Sequence, residues 1–209
     1  MAKLIGNAPN QVPTNADLGK MAFEDKVSVA NINATGTKDA TTFLRGDNTF
    51  AEAGGGITEA DAWRINVNTV FSSSGQSDVT ANWERTHGAG FDKIGTGLTE
   101  SSGIFSFPST GYYYINHFSS TTAGAARQYT SMMLKITVNN STYYTATSNY
   151  ANIASASYLS NNSASFIVRV TDISNIKFKF EAQRSDTFTL LGSTSESRSG
   201  FSCIRLGDI

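Results

Sequence analysis

The sequence predicts an all-β protein made of antiparallel strands, and three observations lead to this prediction. Apolar and polar residues alternate with a period of two over several segments in the second half of the chain. Asn-Asn and Ser-Asn pairs interrupt these segments, as turn residues do. Charged residues make up only 16% of the chain, and its many Ser, Thr, Asn and aromatic residues are typical of sheets with solvated faces. Helix is scarce, and one helical turn is predicted from Thr58 to Trp63.

The clearest strands lie between residues 130 and 182. A period-two pattern with one polar face indicates half-buried antiparallel strands. The residues that these patterns place toward the core are Met132, Leu134, Ile136 and Val138; Phe166, Val168 and Val170; and Ile176, Phe178, Phe180 and Ala182. Turns are predicted at Asn139-Asn140, Asn161-Asn162 and Ser174-Asn175. The chain closes on a further aromatic-aliphatic strand, Phe201 to Leu206.

A Pro-Ser-Thr-Gly turn separates two aromatic segments between Gly103 and Tyr114. Pro108 fixes φ for a tight turn, and Gly111 can adopt the positive φ that strains other residues. Aromatic and β-branched runs on both sides of such a turn predict a hairpin of two neighbouring strands.

The chain is predicted to have three parts. Residues 1–50 show no sustained periodicity and carry isolated apolar residues among turn-forming ones. Residues 51–56 include three consecutive glycines, which suit a hinge. Residues 57–209 contain all the alternating segments, and a domain of this size buries roughly 70% of its unfolded surface. The last part is therefore expected to be a self-sufficient head.

Composition argues against several classes of protein. The net charge is −1 and no basic block occurs, so a nucleic-acid-binding surface is not supported. The single cysteine, Cys203, excludes an intrachain disulfide and is expected to be a buried, inert thiol. No apolar run is long enough to cross a membrane, and residues 1–10 do not resemble a signal peptide. The protein is therefore expected to fold in a cytoplasm.

No catalytic residue, metal ligand or cofactor is predicted. The two histidines, His87 and His117, lie in a turn and a strand, and no serine-nucleophile elbow accompanies them. No cysteine–histidine cluster or calcium loop is present. Both histidines are therefore interpreted as surface or hydrogen-bonded structural residues. An ion held by carboxylates from several chains would leave no motif, and that alternative stays open.

The aromatic turn carries a family resemblance. Phe105, Pro108, Gly111 and Tyr113 form an F-x-x-P-x-x-G-x-Y pattern that resembles the complement-head and tumour-necrosis-factor jelly-roll superfamily. The resemblance implies an antiparallel jelly-roll sandwich head. It also implies a homotrimeric binding module, since few members of this superfamily are enzymes.

Two N-terminal phrases resemble fibres and virion appendages of tailed phages, especially marine ones. They lie within residues 10–22 and 42–50, and residues 83–115 are similar to heads at the ends of marine and cyanophage appendages. The second phrase departs from the usual pattern at Asn48 and Phe50, which stand in place of Gly and Trp. It includes Arg45-Gly46-Asp47, which is interpreted as a structural turn rather than an integrin-binding motif.

These resemblances imply a structural virion protein, made in the host cytoplasm. It would be a trimeric tail fibre or appendage with an extended N-terminal attachment segment and a head that binds the bacterial surface. The residues expected at the trimer interface are Tyr112, Tyr114, Phe201, Ile204 and Leu206. The residues expected to bind a receptor are Tyr143, Tyr144, Tyr150 and Tyr158. The residues expected to attach the protein to the virion are Leu18, Met21, Phe23, Phe43 and Leu44.

Alternatives remain at this stage. The protein could be a capsid head fibre or decoration protein, or, with less support, a glycan-degrading enzyme. The expected partners are two further copies, other virion proteins and a bacterial surface glycan or protein, with no nucleic acid and no membrane insertion. For the four loop tyrosines, burial at a trimer interface or on a sheet is the favoured alternative to receptor binding.

Overall fold

A computed structural model describes residues 34–40, 42–52, 56–88 and 92–209. Within those ranges the chain forms β-strands joined by turns, and none of the described residues is helical. It follows that no helix in the described chain is long and apolar enough to cross a membrane. The strands are β1 (Thr42–Leu44), β2 (Phe50–Glu52), β3 (Ala60–Ile65), β4 (Thr69–Phe71), β5 (Gly75–Asp78), β6 (Trp83–Arg85), β7 (Thr99–Ser101), β8 (Ile104–Ser106), β9 (Gly111–Thr122), β10 (Arg127–Thr137), β11 (Tyr143–Thr147), β12 (Ala151–Ile153), β13 (Ser160–Val170), β14 (Lys177–Arg184), β15 (Phe188–Leu190) and β16 (Gly200–Gly207).

The chain divides into two units between Gly56 and Ile57. In the first unit, β1 and β2 pair as an antiparallel hairpin. Arg45, Gly46 and Asp47 lie in its turn, where the Asn48 amide donates to the Arg45 carbonyl over 3.0 Å. Asn48 has a φ of 62°, a left-handed conformation that asparagine tolerates better than most residues. The tripeptide is therefore part of a structural turn, as the sequence indicates.

The second unit is a sandwich of two antiparallel sheets, which confirms the predicted fold class. Sheet I has the strand order β4-β15-β9-β16-β3-β6, and β13 pairs with the free edge of β9. Sheet II has the order β11-β10-β14-β8-β7, with β12 on β10 and β5 on β14. In β9, buried residues alternate with more exposed ones along the whole strand. One face of sheet I therefore packs on the core and the other faces outward.

The core is dominated by aromatic side chains from both sheets. Phe105 is fully buried at its centre, and the Phe201 ring lies closest, with 4.7 Å between centroids. The other rings within 6.2 Å of Phe105 are those of Trp63, Trp83, Phe178 and Phe180. Edge-to-face and offset pairs of this kind add about 0.5–1.5 kcal/mol each beyond the burial of their area. The aromatic content thus stabilises the protomer itself.

The predicted hairpin around Pro108 is wrong. Strand β8 belongs to sheet II and β9 to sheet I, so the turn carries the chain from one sheet to the other. Phe107 and Tyr113 approach to 4.7 Å between ring centroids because both enter the same core from opposite sides. Gly111 has a φ of 144°, which confirms the positive φ expected there.

Two other local predictions are also wrong. Residues 58–63 do not form a helical turn, because β3 is held between β16 and β6 by strand pairing. Asn161 and Asn162 are not turn residues. They lie in β13, where Asn161 pairs with Ser120 and Asn162 with Ser119. Tertiary pairing overrides local preference in both places.

Candidate interaction surfaces

The outward face of sheet I carries an apolar row that crosses three strands. Ile167 of β13 lies directly opposite Tyr114 of β9, which in turn lies opposite Ile204 of β16. Ile167 is 57% exposed, and Tyr114 and Ile204 are half-buried. Side chains that are opposite one another on one face of a sheet touch across the strands. These three residues, called the apolar row below, therefore form one continuous surface.

The other residues predicted for a trimer interface have different positions. Tyr112 lies two residues before Tyr114 on the same face and is 38% exposed. Leu206 lies at an irregularity in the pairing of β16 with β9 and is 57% exposed. Phe201 is only 1% exposed and contacts Phe105 inside the protomer. Phe201 is therefore a core residue, and its prediction as an interface residue is wrong.

A second apolar surface lies where β13 faces β10 and β11 at the side of the sandwich. It is a groove of about 420 Å³. The residues that line it include Val138, Tyr144 and Ile167. All three are more than half exposed. Ile167 belongs to both the groove and the apolar row, so the two surfaces adjoin at β13. Large contiguous apolar surfaces on soluble proteins mark interaction sites.

A third surface is polar and lies toward the other end of β9 and β13. It is an open groove of about 690 Å³, called the polar groove below. The residues lining it are Phe118, Ser119, Ser120, Asn149, Tyr150, Asn161, Asn162, Ser163, Ser197 and Arg198. Arg198 is the one charged residue of this set, every member of which is described by the structure. Its guanidinium binds the Glu196 carboxylate over 2.6 Å.

Hydrogen bonds fix the floor of the polar groove. The Ser119 hydroxyl donates to Asn162 Oδ1 over 2.5 Å, and the Ser120 hydroxyl donates to Asn161 Oδ1 over the same distance. The Asn162 amide group donates in turn to the Asn149 carbonyl over 3.1 Å. These bonds join β9, β13 and the loop after β11, so the polar side chains are held in place before any ligand arrives.

The structure does not bring the four loop tyrosines into one site. Tyr143 packs under the Lys179 ammonium group, which lies 4.5 Å from its ring centroid, and burial raises the pKa of its hydroxyl. Tyr144 lines the apolar groove and Tyr150 the polar groove. Tyr158 is 60% exposed in the loop before β13. Of the four, Tyr150 alone lines the polar groove.

The residues predicted for virion attachment are only partly described. Leu18, Met21 and Phe23 lie outside the described residues. Phe43 and Leu44 lie in β1, where they are 47% and 44% exposed. Slightly less than half of each residue's surface is therefore exposed.

The two histidines lie in different environments. His117 is fully buried between the sheets, with Nε2 hydrogen-bonded to Thr147 Oγ1 over 2.9 Å. Burial lowers the pKa of its imidazole to about 4. His87 is exposed and pairs with Glu84 over 2.9 Å. Among the described residues, no group of three or more His, Cys, Asp and Glu side chains is placed to hold a metal ion.

Cys203 is a buried thiol, as predicted. It is 2% exposed on the inward face of β16. Burial, with a smaller contribution from the Asp61 carboxylate, raises the pKa of the thiol well above its usual range. The reactive thiolate is therefore suppressed.

Comparison of the sequence with protein-family models gives no match, and comparison with curated proteins gives none either. Solved structures do match. Eiger TNF from S. frugiperda is 12% identical and superimposes with a TM-score of 0.51, covering 72% of this chain and 93% of that one. The crystal structure of murine APRIL at pH 5.0 is 13% identical with a TM-score of 0.50, covering 71% of this chain and 99% of that one.

A third structure, PRD1 vertex protein P5, is 13% identical and covers 73% of this chain and 100% of that one. Its TM-score of 0.41 does not establish a common fold. The first two matches, together with the strand order, identify the second unit as a TNF-like jelly roll. At such low identities they give the fold and no function.

Proposed function

We propose that this protein is a trimeric virion appendage of a tailed phage, whose jelly-roll head attaches to the bacterial surface and whose N-terminal segment attaches to the particle. The observation that carries the proposal is the apolar surface that runs from the apolar row to the apolar groove. It leaves Ile167, Val138 and Tyr144 more than half exposed on one protomer. The N-terminal phrases that resemble phage fibres supply the virion context.

The shape of this surface favours a closed ring of subunits. The row lies on the face of sheet I, whereas the groove lies at the side of the sandwich. Contact between the face of one copy and the side of the next is heterologous, and such contacts form a closed ring when the rotation that relates neighbouring copies closes. The TNF-like fold accommodates this arrangement. Each subunit would then bury Tyr114 and Ile204 against Tyr144 and Val138 of its neighbour, so Tyr144 would serve assembly rather than receptor binding.

The first test concerns the oligomer. The full chain is expected to scatter light with a molar mass about three times 22.4 kDa at micromolar concentration. Tyr114→Arg should dissociate the trimer, because an unpaired charge buried in an apolar interface costs several kcal/mol. The matched control is Val70→Arg, at an apolar residue 61% exposed on β4 and remote from the row. A wild-type monomer, or a Tyr114→Arg trimer as stable as the control, would contradict this assembly.

The N-terminal unit is proposed to dock on the particle. Phe43 and Leu44 project from a two-stranded hairpin, a structure that is marginal by itself and gains stability when another chain covers it. Replacing both by serine should reduce incorporation into particles, measured by immunoblot of purified virions, while the melting temperature of the head is unchanged. The control replaces Val67 and Val70 by serine, since both are similarly exposed on the head.

Normal incorporation of the Phe43/Leu44 variant would argue against docking through this hairpin. Immunogold electron microscopy of the same particles would separate a tail appendage from a capsid fibre or decoration protein. Gold at the capsid shell would favour the second identity.

We also propose that the head acts by binding alone. Enzymes that cleave glycans commonly use two carboxyl groups on either side of the scissile bond. The residues lining the polar groove, all of them described, include neither Asp nor Glu. Incubation with purified host surface polysaccharide should therefore release no new reducing ends. Measurable turnover by the wild-type protein would overturn this part of the proposal.

A further inference from the structure

We propose that the polar groove is the receptor site and that its ligand is an uncharged surface glycan. The inference rests on the proposed attachment function and assigns that function a location and a ligand class. The volume of about 690 Å³ falls within the range of roughly 300–1,000 Å³ typical of sites for small molecules. It gives room for a short stretch of polysaccharide along an open channel.

The charge of the groove favours a neutral ligand. Arg198 is already paired with Glu196 over 2.6 Å, and the remaining lining residues carry no charge. An acidic sugar or a nucleic acid would need uncompensated basic groups, which this groove does not offer. A basic peptide would need carboxylates, which are absent from the lining set that the structure describes. The hydroxyl groups of a neutral sugar need neither basic groups nor carboxylates.

The groove offers hydrogen-bonding groups that are positioned but not used. Asn161 accepts a bond from Ser120 through Oδ1, so its amide NH₂ is left as a donor into solvent. The hydroxyls of Ser163 and Ser197 make no hydrogen bond to any described residue, and both residues are exposed. Amide and hydroxyl groups can donate to and accept from vicinal sugar hydroxyls. Because the Asn161 side chain is already fixed, little conformational entropy is lost on binding.

Aromatic surface adjoins these polar groups. Phe118 lies on the outward face of β9, half-buried, directly across from Ser163 of β13. Tyr150 is 50% exposed, and its hydroxyl donates to Gln183 over 2.7 Å. Its ring also packs edge-on against Tyr129, with 5.7 Å between centroids. Sugar rings combine hydroxyl edges with apolar C–H faces, so a groove with fixed aromatic rings beside amides matches them on both counts.

The groove can remain open when subunits associate through the apolar row. Phe118 is four residues beyond Tyr114 along β9, roughly 13 Å at 3.3 Å per residue, and Ser120 is roughly 20 Å away. Polarity changes along the same sheet face, from Tyr112 and Tyr114 at one end to Ser120 and Asn161 at the other. An interface confined to Tyr112, Tyr114 and Ile204 would leave three equivalent grooves in the trimer, and three weak sites bind a repetitive surface far more tightly than one.

The test uses the full-length protein on an array of short neutral oligosaccharides, with uronate- and sialate-containing oligosaccharides as the acidic set. Wild type should bind members of the neutral set. Ser163→Trp should reduce that binding by tenfold or more, because the indole occupies the channel. Asn161→Asp keeps the acceptor for Ser120 but removes the donor, and should also weaken binding. The controls are Ser101→Trp, on the exposed edge of sheet II, and Asn140→Asp, in an exposed turn.

Each outcome has one meaning. Neutral binding that is lost in Ser163→Trp and kept in Ser101→Trp supports the inference. Neutral binding that Ser163→Trp leaves unchanged would place the glycan elsewhere, and a preference for the acidic set would refute the ligand class. Binding to no neutral oligosaccharide also overturns the inference, even if fluorescent trimers still attach to bacteria. Failure of attachment itself would instead overturn the proposed function, so the two failures are distinguishable.

Discussion

Gly111→Val is expected to destabilise the head by about 2–6 kcal/mol, or to prevent its accumulation as soluble protein. A β-branched residue at a φ of 144° is strained, which costs on the order of 1–3 kcal/mol. A Cβ at this position would also lie 2.6 Å from the Gly207 carbonyl oxygen and 2.6 Å from Arg205 Nε. Crowding of this kind typically costs a further 1–3 kcal/mol or so. Thermal melting followed by circular dichroism measures the sum.

The control for this variant is Gly124→Val. Gly124 lies in the exposed turn between β9 and β10 and has no positive φ, and a Cβ added there would meet open space. The melting temperature of this variant should stay close to that of wild type. If Gly111→Val melts at the same temperature as Gly124→Val, the chain at the crossing between the sheets is less constrained than its geometry implies.

Acidification is expected to remove about 3 kcal/mol of stability through His117. The imidazole has a pKa of about 4 in the folded protein, against 6.5 as its ordinary value, because burial disfavours its charged form. The unfolded chain therefore takes up a proton first as the pH falls. Stability from this group is complete above about pH 6.5 and is lost progressively down to about pH 4, at roughly 1.4 kcal/mol per unit. Below about pH 4, protonation of His117 no longer changes the free energy of unfolding with pH.

Urea unfolding between pH 7.5 and 4 at fixed protein concentration measures this loss. His117→Gln keeps a polar group near Thr147 but does not titrate, so its stability should fall less steeply over the same interval. Equal slopes for His117→Gln and wild type would show that another group governs the acid response.

The alternation in the sequence predicts β10, β14 and the second half of β13 well, because the apolar and polar faces of these strands differ. Val138 is the exception, since it lies just beyond the end of β10 and is 62% exposed. The first half of β13 is different. Its residues Ser160 to Ser165 are almost all polar, so alternation leaves no visible signal and Asn161-Asn162 resembles a turn. Cross-strand bonds such as Ser119–Asn162 are what stabilise this segment, and they become evident only once β9 and β13 are paired.

For the same reason, the sequence did not identify the residues that line the polar groove, with the exception of Tyr150. Phe118 and Ser163 are separated by 45 positions in sequence and meet only through the pairing of two strands. Ser197 and Arg198 come from a loop with no pattern of its own. Tyr112 and Tyr114 do lie on the outward face of sheet I, as period-two alternation predicts. Phe201 was misplaced because an aromatic strand has the same pattern whether it faces the core or a partner.

The burial of Cys203 has a practical consequence for labelling. It is the single cysteine of the 209-residue sequence, and its thiol is buried and held in the unreactive protonated form. A cysteine introduced at an exposed loop position such as Ser155 would therefore react with a maleimide dye without prior removal of the native one. One fluorophore per chain at a known position would allow energy transfer to test the proposed association of subunits and the proposed attachment of the head to a bacterial surface.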